Sequence, residues 1–332
     1  MKIWLSEEPG GPGTLKLSQR GVPAPGRGEI QVEVHACGIN FPDSLIIQDL
    51  YQYKPARPFA PGGEVAGIVT ATGEGVTGFA PGDRVIARTG WGGLAESLVV
   101  SSDRCVPMPD GMSFAEGSAY LFTYATSYHA LKQRAEIKPG DQVLVLCAAG
   151  GTGVSAIEIA KVMGARVVAA VSSEEKAEFA RECGADEAIV YPRAPLTKEQ
   201  MLALGQAFKT AGGSHGFDIV YDPVGGDYAE PAFRAMAWRG RYLVVGFTAG
   251  IPRLPFNLPL LKGAAVVGVF NGGFAELEPE DSARNTAELM QLHAEGKLAP
   301  RISRTYPFED APEAIAAIAD RQALGKIVVM VR

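Results

Sequence analysis

The chain has 332 residues, 47% of them hydrophobic, enough to bury a sizeable core and, by length, to form about two domains. Its formal net charge of −6, with no basic run, argues against a nucleic-acid or anionic-membrane surface and favours a small-molecule ligand. The four cysteines, Cys37, Cys105, Cys147 and Cys183, lie far apart and form no C-x-x-C pair, so neither a disulfide framework nor a thiolate metal cage is expected.

The opening residues, MKIWLSEEPGGPG, carry acids and glycines where a secretory signal has a basic start and an apolar core. No later apolar run approaches membrane-spanning length, and a cytoplasmic protein is the expectation. Up to about Tyr120 the chain is rich in Gly and Pro, with short β-branched runs at 30–35, 64–70, 83–87 and 97–100, which predicts a compact, mostly β domain. Strand-like and helix-length segments then alternate, the signature of βα units around a parallel sheet. Strands are predicted at 142–147, 166–171, 187–191, 217–222 and 241–246, with a further one at the sheet edge, 264–270. Helices are predicted at 154–163, 174–183 and 279–296, and the tail holds a helix at 311–319 and a strand at 326–331 that return to the first domain.

The loop after the first of these strands reads Ala148-Ala149-Gly150-Gly151-Thr152-Gly153, then Val154. Between strand and helix, such glycines let the chain turn sharply and let a pyrophosphate approach the N–H groups at the helix start. Ala148 replaces the first glycine of the usual pattern, but strand before and helix after are the context that pattern requires. About 20 residues on, where NAD enzymes carry an acid for the ribose 2′-hydroxyl, the strand ends in Val171-Ser172-Ser173. Small hydroxyl residues leave room for a 2′-phosphate and Lys176 is placed to pair with it, so NADPH is favoured. A purely structural reading has Ser172 capping the helix, Glu175 completing a capping box and Lys176 solvated. Glu174 and Glu175 would also serve NADH, by repelling a phosphate or reaching a 2′-hydroxyl.

Three further motifs appear in order: Ala36-Cys37-Gly38-Ile39-Asn40-Phe41-Pro42-Asp43, Pro61-Gly62-Gly63-Glu64-Val65-Ala66-Gly67 and Pro81-Gly82-Asp83-Arg84-Val85. With the glycine loop they resemble the medium-chain dehydrogenase/reductase superfamily along essentially the whole chain. The resemblance implies an α/β protein, a GroES-like β-rich catalytic domain (1–124 and 264–332) split by an inserted Rossmann-fold domain (125–263). The places of the family's catalytic zinc ligands fall on Asn40, Gly63 and Phe122, none of which supplies the Cys or His a tetrahedral zinc site prefers, so no metal is expected.

Residues 38–43, Leu50-Tyr51, Asp222-Pro223-Val224-Gly225-Gly226 and Gly325-Lys326-Ile327-Val328-Val329 are similar to the zinc-free, zeta-crystallin-like quinone oxidoreductases. That resemblance implies Asn40, Tyr51 and Thr126 near the nicotinamide, and Ala149, Gly150, Gly151, Thr152, Gly153 and Val154 along the pyrophosphate. It also implies Ser172, Ser173, Lys176 and Tyr191 around the 2′-phosphate, with Val224, Phe247, Thr248, Phe270 and Asn271 in loops at the nicotinamide end. Each has a plainer reading. Asn40 caps a turn, Tyr51 and Tyr53 are surface aromatics, and Phe247 and Phe270 are packing residues whose backbone meets the ligand.

With no metal and no acid–base constellation, the predicted activity is hydride transfer from NADPH to a quinone or activated enone, in a cleft between the domains. Asn40 and Tyr51 are the candidate catalytic residues. An enoyl-thioester reductase is the alternative, and a non-enzymatic zeta-crystallin-like binding role a third. The resemblance further implies a homodimer joined through the 264–270 edge strand.

Overall fold

The computed structural model describes residues 1–321 and 323–332. They form two compact units, Met1–Phe122 with Ala299–Arg332, and Thr123–Leu298.

In the first unit, β1 (Lys2–Leu5) and β2 (Lys16–Gln19) make a small antiparallel pair. The main sheet is built on β3 (Glu29–Ile39), followed by a short α1 (Phe41–Ile46) and then β4 (Glu64–Thr72), β5 (Arg84–Arg88), β6 (Ser97–Ser101), β7 (Cys105–Pro107) and α2 (Phe114–Ser118). The alternation of apolar residues along β3 sends Ile30, Val32 and Val34 into a core where none has exposed surface, each contributing roughly 1.5–3 kcal/mol of apolar burial.

The second unit takes up α3 (Leu121–His129) and winds a parallel sheet from β8 (Gln142–Leu146), α4 (Gly151–Val162), β9 (Arg166–Val171), α5 (Glu174–Glu182), β10 (Glu187–Val190), α6 (Lys198–Gly212), β11 (Phe217–Asp222), α7 (Ala229–Arg234), β12 (Met236–Val244), α8 (Asn257–Lys262) and β13 (Ala265–Gly268). Two helices, α9 (Asn271–Leu277) and α10 (Pro279–Ala294), close it. The strand order is β10-β9-β8-β11-β12-β13 with every pairing parallel. That is the doubly wound order whose direction of winding reverses beside the first strand, and it leaves all carboxyl ends on one edge of the sheet.

The chain then returns to the first unit with β14 (Ile302–Pro307), α11 (Ala311–Ala319) and β15 (Lys326–Met330), completing the order β14-β15-β3-β4-β5-β7 with β6 paired to β3. The second crossing differs from the expected boundary at 263/264: β13, α9 and α10 group with the parallel sheet, and the division falls after Leu298. Pairing of β13 to β12 is the physical reason, since it carries the chain on across that sheet before the chain can leave. Two further differences are local. α4 begins at Gly151 rather than 154, making the glycines its first turn, and β12 begins at Met236 rather than 241.

Candidate functional site

The carboxyl edge of the parallel sheet gathers most of the sequence-predicted residues. β8 ends in the glycine loop, where Cys147 adopts φ 51° and Gly150 caps α4 with extended φ and ψ of −82° and 167°. The loop is locked by Gly150 N–H donating to Cys147 O at 3.0 Å and Val154 N–H to Gly150 O at 2.8 Å. Gly153 packs so tightly that a Cβ there would lie 2.3 Å from Cys147 O, which is why the helix comes this close to the strand. The N–H groups of the first helical turn, at Gly151, Thr152 and Gly153, have no acceptor within the helix and carry the positive end of its dipole.

A buried hydroxyl network fixes this turn from below. Ser127 Oγ, on α3 one residue beyond half-buried Thr126, lies 3.1 Å from Thr152 O, 2.8 Å from Ser155 Oγ and 2.8 Å from Tyr221 OH. Ala149, Gly153 and Val154 are buried, while Gly150, Gly151 and Thr152 are half-buried along the loop.

At the end of β9, the cap of α5 is Ser173 and not Ser172: Ser173 Oγ accepts from Lys176 N–H at 3.3 Å. The Ser172 hydroxyl is therefore not spent on the helix start, and Ser172 and Lys176 are both half-buried beside it, with Glu174 and Glu175 exposed. Tyr191 follows β10, its N–H donating to Val171 O at 2.8 Å, but its ring is buried against Tyr228 at 4.6 Å and burial raises its hydroxyl well above the usual range. Asp222 ends β11 buried, its carboxylate accepting from Val224 N–H at 2.7 Å, Gly225 N–H at 2.8 Å and the Tyr242 hydroxyl, which sets the loop carrying buried Val224. Thr248, after β12, leans on that loop through Pro223 O at 3.3 Å. Phe247 and Phe270 are 48% and 52% exposed, which corrects their reading as packing residues, and Asn271 opens α9.

In the first unit, register brings a second group together. Gly38 of β3 pairs with Glu64 of β4, and Ile39 pairs with Ile327 of β15, so Asn40, Glu64 and Lys326 meet at one end of three adjacent strands. Lys326 Nζ donates to Asn40 Oδ1 at 2.6 Å and lies 3.5 Å from Glu64 Oε2, with both charged side chains almost wholly buried. Glu64 Oε1 accepts the Phe122 N–H at 2.7 Å. Burial raises the Glu64 carboxyl, with Lys326 pulling it back down. Asp43 is also buried, accepting from Asn40 N–H at 2.8 Å and Gly62 N–H at 2.9 Å, and burial pushes its carboxyl up to about 6 against those bonds. Tyr51 packs half-buried on this unit's core with its ring 5.9 Å from that of Tyr53, and burial raises its hydroxyl. Sequence reasoning placed Lys326 at the start of a strand and in the closing family-like motif but gave it no part in the site. A lysine opening an otherwise apolar strand, Lys326-Ile327-Val328-Val329, was the available signal.

Residues 26–110 match the alcohol dehydrogenase GroES-like domain, and residues 151–289 the family described as zinc-binding dehydrogenase. Quinone oxidoreductase-like protein 2 of Bos taurus is 36% identical over 92% of this chain and 85% of its own. The chain belongs to the quinone oxidoreductase-like branch of the medium-chain dehydrogenase/reductase superfamily. Among solved structures, the Escherichia coli quinone oxidoreductase complexed with NADPH superposes with TM-score 0.89 at 28% identity, covering 100% of both chains. The CurK enoyl reductase superposes with TM-score 0.86 at 26% identity, covering 100% of this chain and 99% of its own.

At Asn40, Gly63 and Phe122, the positions that the resemblance assigns to zinc ligands, the chain has a carboxamide, a glycine and a phenylalanine whose backbone N–H is turned to Glu64. The buried ammonium of Lys326 already sits against both Asn40 and Glu64, and a cation brought there would be repelled by it. Among the described residues, no group of three or more His, Cys, Asp or Glu side chains is arranged to hold a metal ion, and no helix is long and apolar enough to cross a membrane.

Proposed function

We propose that this oxidoreductase uses NADPH to deliver hydride to a quinone or activated enone without zinc. The observation that carries the reading is the convergence, on one edge of the parallel sheet, of the glycine turn, of Ser172 and Lys176, and of the loops after β11 and β12. The first-turn N–H groups of α4 are suited to the pyrophosphate, and the Ser172 hydroxyl with the Lys176 ammonium to the 2′-phosphate. The nicotinamide supplies the hydride by its own chemistry, and the chain's part is to hold and orient. Asn40 is assigned as a polar contact in the reaction site, with Tyr51 beside it. The exposed rings of Phe247 and Phe270 flank the nicotinamide end. The NADPH complex of the E. coli relative supports the cofactor assignment.

The test is NADPH oxidation by chelator-treated protein against 1,4-benzoquinone or 9,10-phenanthrenequinone and, in parallel, crotonyl-CoA. Quinone turnover unchanged by chelation is the expected result. Preferential turnover of crotonyl-CoA moves the assignment to the enoyl-thioester reductases; the CurK neighbour is an enoyl reductase.

We also propose a homodimer in which two β13 strands pair edge to edge. Among the described residues β13 pairs only with β12, and its Val266 is 47% exposed at the sheet edge. Light scattering should give twice the 35.0 kDa chain mass, and Val266→Lys should shift it towards monomer. A wild-type protein that stays monomeric at micromolar concentration removes this assignment.

A further inference from the structure

Two arginines lie on the same face of β5, and their surroundings differ. Arg84 spends its guanidinium on the carbonyl oxygens of Pro109, Asp110 and Met112. Arg88, at the end of the strand, is half-buried, and among the described residues its guanidinium has no hydrogen bond or ion pair. A guanidinium carries donors only, and donors drawn from water without an acceptor are costly, so the missing acceptor points to a ligand.

Strand register fixes what stands around it. Glu64 of β4 pairs with Arg88, and Ala87 pairs with Cys105 of β7, which sets Arg104 opposite Arg88 at the next step. Residues opposite one another on antiparallel strands share a face, so Glu64, Arg88 and Arg104 form one row. α2 covers that face beside them: a Cβ at residue 117 would lie 3.1 Å from Ala66 Cβ and 3.3 Å from Ile86 Cγ1, on the residues next along the same face.

Glu64 attracts Arg88 but is already engaged, accepting the Phe122 N–H and standing 3.5 Å from the Lys326 ammonium. Arg104 is exposed and, among the described residues, also has no hydrogen bond or ion pair; Asp103 beside it pairs with neither arginine. Burial lowers the Arg88 guanidinium from its ordinary value, Glu64 acts against that, and Arg104 adds to it. Like charges placed opposite one another destabilise a sheet, and an anion between them removes that cost. In a chain of net charge −6 this is a local concentration of positive charge and not part of a basic surface.

We propose that Arg88 and Arg104 form an anion-binding subsite in the first unit, which takes a carboxylate, sulfonate or phosphate group. Arg88 supplies a planar fork matched to two oxygens, half withdrawn from water, and Arg104 adds its charge from the exposed side. The anion is either an acid group carried by the hydride acceptor or a free oxyanion such as phosphate, and both present the same oxygens. Only the first source rests on the reading given under Proposed function.

The test measures binding of inorganic phosphate, and separately of malonate, to the full chain by titration calorimetry at constant ionic strength. Wild type is compared with Arg88→Met, Arg88→Lys, Arg104→Gln and Lys176→Ala, the last separating this site from the one assigned to the 2′-phosphate. Binding should persist in Lys176→Ala, weaken about tenfold or more in Arg88→Met, and weaken less in Arg104→Gln and Arg88→Lys. Either anion should raise the Tm of wild type but not of Arg88→Met. Without anion, Arg88→Met should melt no lower than wild type, whereas an arginine kept only for packing would give a lower Tm. Unaltered affinity in Arg88→Met overturns the proposal, as does wild-type protein that binds neither phosphate nor malonate. If Arg88→Met does not fold, exposed Arg104→Gln decides by the same criterion.

The source is read from the ratio of kcat/KM for 1,4-naphthoquinone-2-sulfonate to that for 1,4-naphthoquinone. A ratio about tenfold lower in Arg88→Met assigns the anion to the acceptor, and an unchanged ratio with phosphate binding lost assigns it to a free oxyanion. Wild-type protein that reduces neither quinone overturns the proposed acceptor class, whereas the phosphate isotherms still decide the subsite.

Discussion

Gly153→Ala should lower stability by about 2–3 kcal/mol and weaken NADPH binding at least a hundredfold, although it adds one methyl group. That methyl would lie 2.3 Å from Cys147 O, 2.6 Å from Ala148 Cα and 2.7 Å from the Ala148 carbonyl carbon, all of them backbone. No side chain can move aside, so α4 must withdraw from the end of β8. The withdrawal spoils the Gly150 and Val154 bonds that shape the loop and pulls Thr152 away from Ser127. Gly150→Ala is the control, because its Cβ would meet Cys147 O and Sγ at 3.4 Å, ordinary contact, and its φ of −82° suits any residue. Thermal melts should therefore separate the two variants, with Gly150→Ala close to wild type in Tm. Any affinity Gly150→Ala loses then reports the approach of the ligand to the backbone. Wild-type NADPH affinity in Gly153→Ala would mean that the pyrophosphate does not rest on this turn.

The same loop shows how much of the molecule was legible beforehand. Local patterns sufficed wherever one strand or helix carries its own signal: β9, β11 and α11 occupy the predicted residues, and the glycine loop lies between β8 and α4 as its motif required. α6 was overlooked because Gly205 and Gly212 interrupt its apolar spacing, even though Thr197 and Gln200 form a capping box at its start. The boundary near 264 was misplaced because nothing in residues 265–268 says which sheet they will join. Pairing is a long-range fact, and only the register of β13 on β12 decides it. Lys326 was missed for the same reason, being 286 residues from Asn40 in sequence and adjacent only through the pairing of β15 with β3. The one-residue shift of the α5 cap from Ser172 to Ser173 is a local error, arising because both serines satisfy the sequence rule and the backbone selects between them.

That shift strengthens the case for the 2′-phosphate and leads to the second large effect. Ser172→Glu/Lys176→Ala should reverse the preference between NADPH and NADH by on the order of a thousandfold in kcat/KM. Two changes compound. Loss of the ammonium and of the hydroxyl removes two charge-assisted contacts, each worth roughly 1.5–3 kcal/mol to a phosphate, with the lower end fitting a half-buried lysine that water partly screens. The introduced carboxylate joins Glu174 and Glu175 on the same turn, so a dianionic phosphate meets three acids, while the 2′-hydroxyl of NADH gains an acceptor. Because the cap is Ser173, the substitution at 172 leaves the Ser173 to Lys176 backbone bond in place, and α5 should keep its stability. Most of the change should appear as a higher KM for NADPH at similar kcat, since the phosphate is remote from the transferred hydride. Lys176→Ala alone should show about tenfold of the effect, and raised salt should diminish that part first. An unchanged ratio in Ser172→Glu/Lys176→Ala would place the 2′-phosphate away from the end of β9. A wild-type preference for NADH would mean that Glu174 or Glu175 takes the ribose hydroxyl instead.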